Sequence, residues 1–530
     1  MKVIFTGRVV TMNSARTVLK SGAVYVNGNT IELVADAAEA VPAGFETAKK
    51  IATHGIICPG LIELHNHLSY NILQLWSVPK LFHDRGQWQR HPQYVQLVNG
   101  PMLKLAKSTD PRVLAAIARF AETRCLLGGV TTSQGISLKS DQLQKYYHGA
   151  MRVVEDPTEA GFFKAATHIP DLHARDWTSF NKELAKAHCL LLHLSEGFDD
   201  TALNAFKALQ NEQTKAWAIS DALAGIHCAA LGDPEFAIMR EHKGSMIWSP
   251  LSNLMLYGQT AKVDLARQHE VPIALGSDWS PSGSKNLLHE LKVAKVANET
   301  RALGFSDADI VGLATIGPAS IVKWDHAVGS LEAGKRADLA VISAPAGADA
   351  HRAIIEARET DVKLVVIDGK ATVGTPALMT ALGVQGEAIS VGGQQRVINY
   401  GTPDPEIVPI TYAQAVEVLT EALANLPNIP KAPPQPAHAS VAPPRRHWSL
   451  ALDEQHESGF ALRPMLPFNG LRTGPDVNRL ASAEVAAAPV GPVPLDRVSV
   501  PDDPNYAAAI NGQMNIPQDI RDGLKAFYPV

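Results

Sequence analysis

The stretch "CLLLHLSEG", residues 189–197, decides how this chain is read. Its opening run is apolar on both faces, which suits a parallel strand covered by helices on either side and not a strand with one wet face. The run ends on His193 and Glu196 beside Gly197. In a parallel α/β fold, polar groups at the C-terminal end of a buried strand sit on the rim where chemistry is done.

The same pattern recurs along the chain. "AGIHCAAL" ends an apolar run on His227, and "VPIALGSDWSPSG" ends one on Asp278 before a Gly/Ser/Pro-rich loop. "GIICPGLIELHNHL", residues 55–68, passes through a Pro-Gly pair and ends on His65 and His67. Side chains at i and i+2 of an extended segment share a face, so these two imidazoles can point at one spot. Taken alone, "HNH" fits a pair of surface histidines in a turn equally well. Four strand ends that all deliver imidazole or carboxylate outweigh that bland reading.

Imidazole with carboxylate suits Zn2+ or Fe2+, and the all-oxygen set that Mg2+ or Ca2+ prefers is missing. Such an ion with an open position lowers the pKa of its water to about 7, which points to hydrolysis.

The surrounding text is β-rich at both ends of this unit. "VIFTGRVVTMN" and "GAVYVNGNTIELVAD", with an Asn27-Gly28 hairpin signal, fall in residues 1–55, and "GKRADLAVISA" and "VKLVVIDGKAT" fall in residues 331–375. The two ends are expected to build one small β domain around a 56–330 catalytic unit of alternating strands and helices. Asp110-Pro111 and the Ser306/Asp309 box mark helix starts inside that unit. Residues 376–530 change character. A capped helix is expected after Thr411 and Gln414, then the proline-rich "PNIPKAPPQPAHASVAPPRRHW", then an extended arm that docks on its own chain or on a neighbour in a homo-oligomer.

With 530 residues, 46% hydrophobic and 19% charged, and a formal net charge of −5, the composition is that of a globular enzyme and does not favour nucleic acid or a membrane as partner. Cys58, Cys125, Cys189 and Cys228 lie in apolar contexts without close pairs and read as reduced core residues. The absence of a signal-like or membrane-spanning run leads to a cytoplasmic expectation.

"PGLIELHNHL", "LLLHLSEG", "AGIHCAAL", "SPLSNLMLYG", "ALGSDWSPSGSKNLLHEL" and "ATIGPASIVKWDHAVGSLEAGKRADLAVI" occur in the order seen in the amidohydrolase superfamily. Over roughly residues 1–375 the chain most resembles the branch of cytosine and guanine deaminases and triazine chlorohydrolases. The resemblance implies an α/β fold: a distorted (β/α)8 TIM-like barrel with a composite β-sandwich. It makes His65, His67, His193 and Asp278 the ligands of one divalent metal. It gives His227 a hydrogen bond to the attacking water or the substrate, has Asp278 accept the water proton, and has Glu196 shuttle protons. Activated water would then attack a trigonal carbon, most simply deaminating an amidine or an aminated, planar N-heterocycle of small size. The rival reactions are hydrolysis of a cyclic or linear amide at the same site, or no catalysis at all in a degenerate scaffold.

Three local features bear on that reading. Lys164 in "GFFKAATHI" is the candidate for a carboxylated lysine bridging two metals, but it falls at the start of its strand while His168 falls at the rim, which favours one metal. Asn66 and the bulky Trp279 depart from the family pattern and are expected at the pocket wall. Trp76, His83, Trp88 and His91 are candidates to stack on a planar substrate ring, or else they pack beneath a loop.

Overall fold

In the computed structural model, the described residues are 2–140, 143–169, 172, 174–429, 447–452 and 490–528. Four strands open the chain: β1 (Lys2–Val10), β2 (Val18–Asn27), β3 (Thr30–Asp36) and β4 (Lys49–Pro59). Gly28, at φ +62°, makes the tight turn between β2 and β3.

The catalytic unit follows with β5 (Leu61–Glu63), β6 (Val130–Ser133), a hairpin of β7 (Ser137–Lys139) and β8 (Gln144–Tyr146), then β9 (Arg152–Val153), β10 (Ala165–His168), β11 (Cys189–Leu194), β12 (Leu223–His227), β13 (Ser245–Trp248) and β14 (Ile273–Leu275). Two parallel sheets result, β5-β6-β9 and β10-β11-β12-β13-β14. Every residue of β11, β12, β13 and β14 is buried, which is why these strands read as continuous apolar runs. No strand ladder joins the two sheets into one ring among the described residues. They meet through single hydrogen bonds. Ala165 N donates to Val154 O (2.9 Å), and beyond β14 Asp278 N donates to His65 O (3.0 Å) while His67 N donates to Asp278 O (2.6 Å). The last two bonds bring the rim of β14 against the rim of β5.

Helices start where the sequence signals them. Asp110 caps Pro111–Leu127 by accepting from Arg112 N (2.9 Å), and Ser306 and Asp309 cap Asp307–Gly312 reciprocally. The four cysteines are unpaired and buried. Among the described residues no helix is long and apolar enough to cross a membrane.

The late strands β15 (Leu339–Ile342), β16 (Val362–Ile367), β17 (Lys370–Gly374), β18 (Glu387–Val391) and β19 (Gln394–Ile398) join the early ones in a nine-stranded sheet of order β18-β19-β17-β16-β15-β4-β1-β2-β3. The four early and five late strands therefore build one β unit. It is one hydrogen-bonded sheet, and it runs beyond the boundary at residue 375 because Ile389, Val391 and Ile398 bury apolar side chains on a hairpin turned by Gly392 and Gly393 (φ +53° and +76°).

The helix expected after Thr411 spans Tyr412–Ala424, with the Thr411/Gln414 box formed, and packs along Pro111–Leu127. The proline-rich connector lies almost wholly outside the described residues. β20 (Ser449–Leu450) pairs with β7. Residues 490–528 return to the catalytic unit, where Asp496 N donates to Ile72 O (2.9 Å).

Candidate metal centre

Beyond the ends of β5, β11, β12 and β14, six polar side chains converge in a setting that excludes water: His65, His67, His193, Glu196, His227 and Asp278 are each 5% exposed or less. Asp278 Oδ1 lies 3.0 Å from His65 Nε2 and 3.5 Å from His67 Nε2. One donor atom each from His65, His67 and Asp278 falls within 4.8 Å of the others, and the same holds for His65, His193 and His227. His65 belongs to both sets, so one centre holds all five. The backbone serves this convergence, since Ser195, His227 and Asp278 take positive φ (52°, 68° and 64°), turning side chains inward where an ordinary strand end would splay them.

Burial drives His193 and His227 far below the ordinary histidine range, so they are neutral imidazoles with lone pairs to give. Burial works to raise Asp278, but the histidines around it, His65 first and then His227 and His67, together outweigh burial and hold the carboxyl below its ordinary range. His193 Nδ1 has no hydrogen-bond partner among the described residues. Neutral imidazoles, one carboxylate and an unsatisfied ring nitrogen are what a borderline-soft divalent ion requires, and this donor set fits such an ion.

Beneath the centre, the buried Glu63 anchors the rim. It accepts from Ser277 N (2.9 Å), from the Ser277 hydroxyl and from Asn66 Nδ2 (3.0 Å). Asn66 also accepts from Asn71 Nδ2 (2.8 Å), and its own N–H donates to Gln134 Oε1 (3.0 Å). Its side-chain amide is thus spent on the scaffold that aims its histidine neighbours, a role the expectation of a pocket-wall residue did not foresee. Trp279 does face the centre, with its ring 5.3 Å from that of His67.

The aromatic candidates divide. Trp88 lies 5.8 Å from Trp279, whereas Trp76 packs against Phe82, His91 and Tyr94, the bland reading, and His83 is exposed. Lys164 is 61% exposed on its side chain and paired with Asp156, away from the centre, while His168 is buried at the end of β10. Two residues went unnoticed in the sequence. Tyr257 O–H donates to Glu196 Oε1 (2.9 Å), and Arg85 Nε faces Glu196 Oε2 at 3.5 Å.

Comparison with known proteins agrees with the α/β fold. An amidohydrolase family model matches residues 187–372, which include His193, Glu196, His227 and Asp278. The 5-methylthioadenosine/S-adenosylhomocysteine deaminase of Thermoanaerobacter pseudethanolicus is 23% identical over 419 residues, spanning 68% of this chain and 91% of the relative. Among solved structures, an adenosine deaminase from Xanthomonas campestris with bound zinc superposes with a TM-score of 0.53 at 17% identity, covering 80% of this chain and 98% of its own. Atrazine chlorohydrolase from Arthrobacter aurescens complexed with zinc gives 0.54 at 16%, covering 70% and 95%. At those identities the structures speak for the fold. The resemblance to amidohydrolases read from the sequence is thereby found independently.

Proposed function

We propose that this chain is a metal-dependent hydrolase that deaminates an aminated N-heterocycle, free or carried on a nucleoside, as a cytoplasmic enzyme. The carrying observation is the convergence of His65, His67, His193, His227 and Asp278 at four strand ends with Glu196 beside them, Glu196 Oε2 lying 3.7 Å from His227 Nε2. We read the eight parallel strands as a (β/α)8 barrel distorted between β9 and β10. The relatives' names, deaminases of adenine nucleosides with zinc in one solved case, support the substrate class and a Zn2+ or Fe2+ ion.

In this reading His65, His67, His193 and Asp278 would hold one ion, which would supply a water acidic enough to ionise near neutral pH. The protein's own groups do the rest. Asp278, held as a carboxylate, takes a proton from the attacking water. His227, fixed by Asn253 Nδ2 at 3.3 Å from its Nδ1, presents Nε2 to the tetrahedral centre. Glu196 carries a proton to the ring nitrogen and then to the departing amine. Trp279 and Trp88 meet edge to face, their rings 5.8 Å apart, and give a planar substrate ring an aromatic neighbour on that side.

Ammonia release is measured from 5-methylthioadenosine, adenosine, guanine and an aminotriazine, and ring opening to the amide acid from a cyclic imide. Release from an aminated ring supports the reading, and hydrolysis of the imide alone replaces it with amide hydrolysis.

A further inference from the structure

We propose that Arg85 and Tyr257 are positioning residues that clamp the two oxygens of Glu196, setting the direction in which that carboxylate moves its proton; this rests on the reading of Glu196 as the proton carrier. Two short helices build the clamp. Pro250–Tyr257 follows β13 and places Asn253 and Tyr257, four residues apart, on one face: Asn253 meets His227 at 3.3 Å and Tyr257 meets Glu196 at 2.9 Å. Arg85–Gln89 places Arg85 and Trp88, three apart, on the other side: Arg85 Nε faces Glu196 Oε2 at 3.5 Å and Trp88 Nε1 donates to the Tyr257 oxygen at 2.9 Å.

Donor chemistry orders this chain in one direction. An indole N–H can only donate, so the tyrosine oxygen accepts from Trp88 and its own proton points at Glu196 Oε1. Tyr257 is buried and its hydroxyl is pushed far above the ordinary tyrosine range, chiefly by burial, so it remains a donor. Arg85 is tied down in turn, its Nη1 donating to Ile169 O (2.5 Å). The backbone completes the hold, because Arg85 N donates to Glu196 O (3.2 Å) and Phe198 N to His83 O (2.8 Å). With Oε1 engaged by Tyr257, Oε2 is the oxygen that faces both Arg85 Nε, at 3.5 Å, and His227 Nε2, at 3.7 Å. A carboxylate held this way offers one defined oxygen to the reacting atoms, and a turned one would offer neither in line.

The test uses the full-length, metal-loaded protein and whichever aminated probe of the panel above releases ammonia fastest. Tyr257→Phe, Arg85→Lys and Arg85→Met are compared with Glu196→Gln for kcat, KM, the pH profile of kcat, metal content and the Glu196 side-chain position in crystals. The expected result is a kcat of Tyr257→Phe lower by about ten- to a hundred-fold with KM changed less than threefold, full metal content, a shifted pH profile and a visibly rotated Glu196 carboxylate. Arg85→Lys should keep more activity than Arg85→Met. An unmoved carboxylate in Tyr257→Phe, or a kcat within twofold of the parent, overturns the clamp. Should Arg85→Met fail to fold, Tyr257→Phe decides alone. If Glu196→Gln itself retains full turnover, the proton-carrier reading has failed, an outcome distinct from loss of the clamp alone.

Discussion

Glu196 sits among Arg85, Tyr257 and His227, with only 5% of its surface exposed, so the proposed proton transfer runs through groups held close to it. Glu196→Gln preserves shape but not proton exchange. It should keep the metal and lower turnover by about two to four orders of magnitude, measured as steady-state ammonia release beside metal analysis. At this scale the sequence was unusually legible where residues end apolar runs: His193, His227 and Asp278 are flagged by the run itself, and His65 and His67 by their i, i+2 spacing. Tyr257 and Arg85 were not flagged. Tyr257 closes a helix that reads as plain core, "PLSNLMLY", and Arg85 lies in a polar loop, so their meeting at Glu196 depends on how two distant segments fold back. The bonds of Asn66 were not legible for a related reason: nothing local tells an Asn facing a pocket from one that also bonds a buried Glu63.

At the level of the element, β10 decides where one lysine sits. Lys164 precedes the strand and pairs with Asp156, whose other oxygen faces His148 Nε2 at 2.9 Å. Those partners, His148 first and then Lys164, pull the Asp156 carboxyl down to about 2. A carboxylate depressed in the folded state contributes stability above its unfolded value, near 4, and loses it as pH falls towards 2. Asp156→Asn should therefore unfold more readily than the parent at pH 6, with the gap closing as pH drops through that window; urea melts at a series of pH values check this. The strand hairpin β18-β19 was missed although its alternating apolar residues and Gly392-Gly393 turn are ordinary signals, because the family resemblance stops near residue 375.

Over the whole molecule, the segment after residue 490 acts as a structural strap. Asp496 is 3% exposed and receives Lys285 Nζ at 2.6 and 2.7 Å and Arg124 Nη2 at 2.8 Å, joining the arm to two helical regions of the catalytic unit. Further along, Gln513 takes the Val78 N–H (3.2 Å) and donates to Trp76 O (3.2 Å), pinning the loop that leads to Arg85 and Trp88. Removing one partner of a buried ionic cluster leaves the others uncompensated. Asp496→Ala should cost roughly 3–5 kcal/mol, read as a lower midpoint in denaturant melts. A docked arm was an expectation of the sequence, but its anchors Asp496 and Gln513 were not legible in a proline-rich, aromatic-poor text, since a docked arm has no periodicity of its own.

The proposed chemistry depends most on one metal being held where the strand ends meet. Elemental analysis of the purified protein, by inductively coupled plasma mass spectrometry on parent and His193→Ala, tests it directly. The expected result is one equivalent of zinc or iron per chain in the parent and a large loss in the variant, whose fold is checked by circular dichroism. A folded parent with no transition metal even after incubation with Zn2+ and Fe2+, or an unchanged full equivalent in folded His193→Ala, would contradict the assignment of this centre.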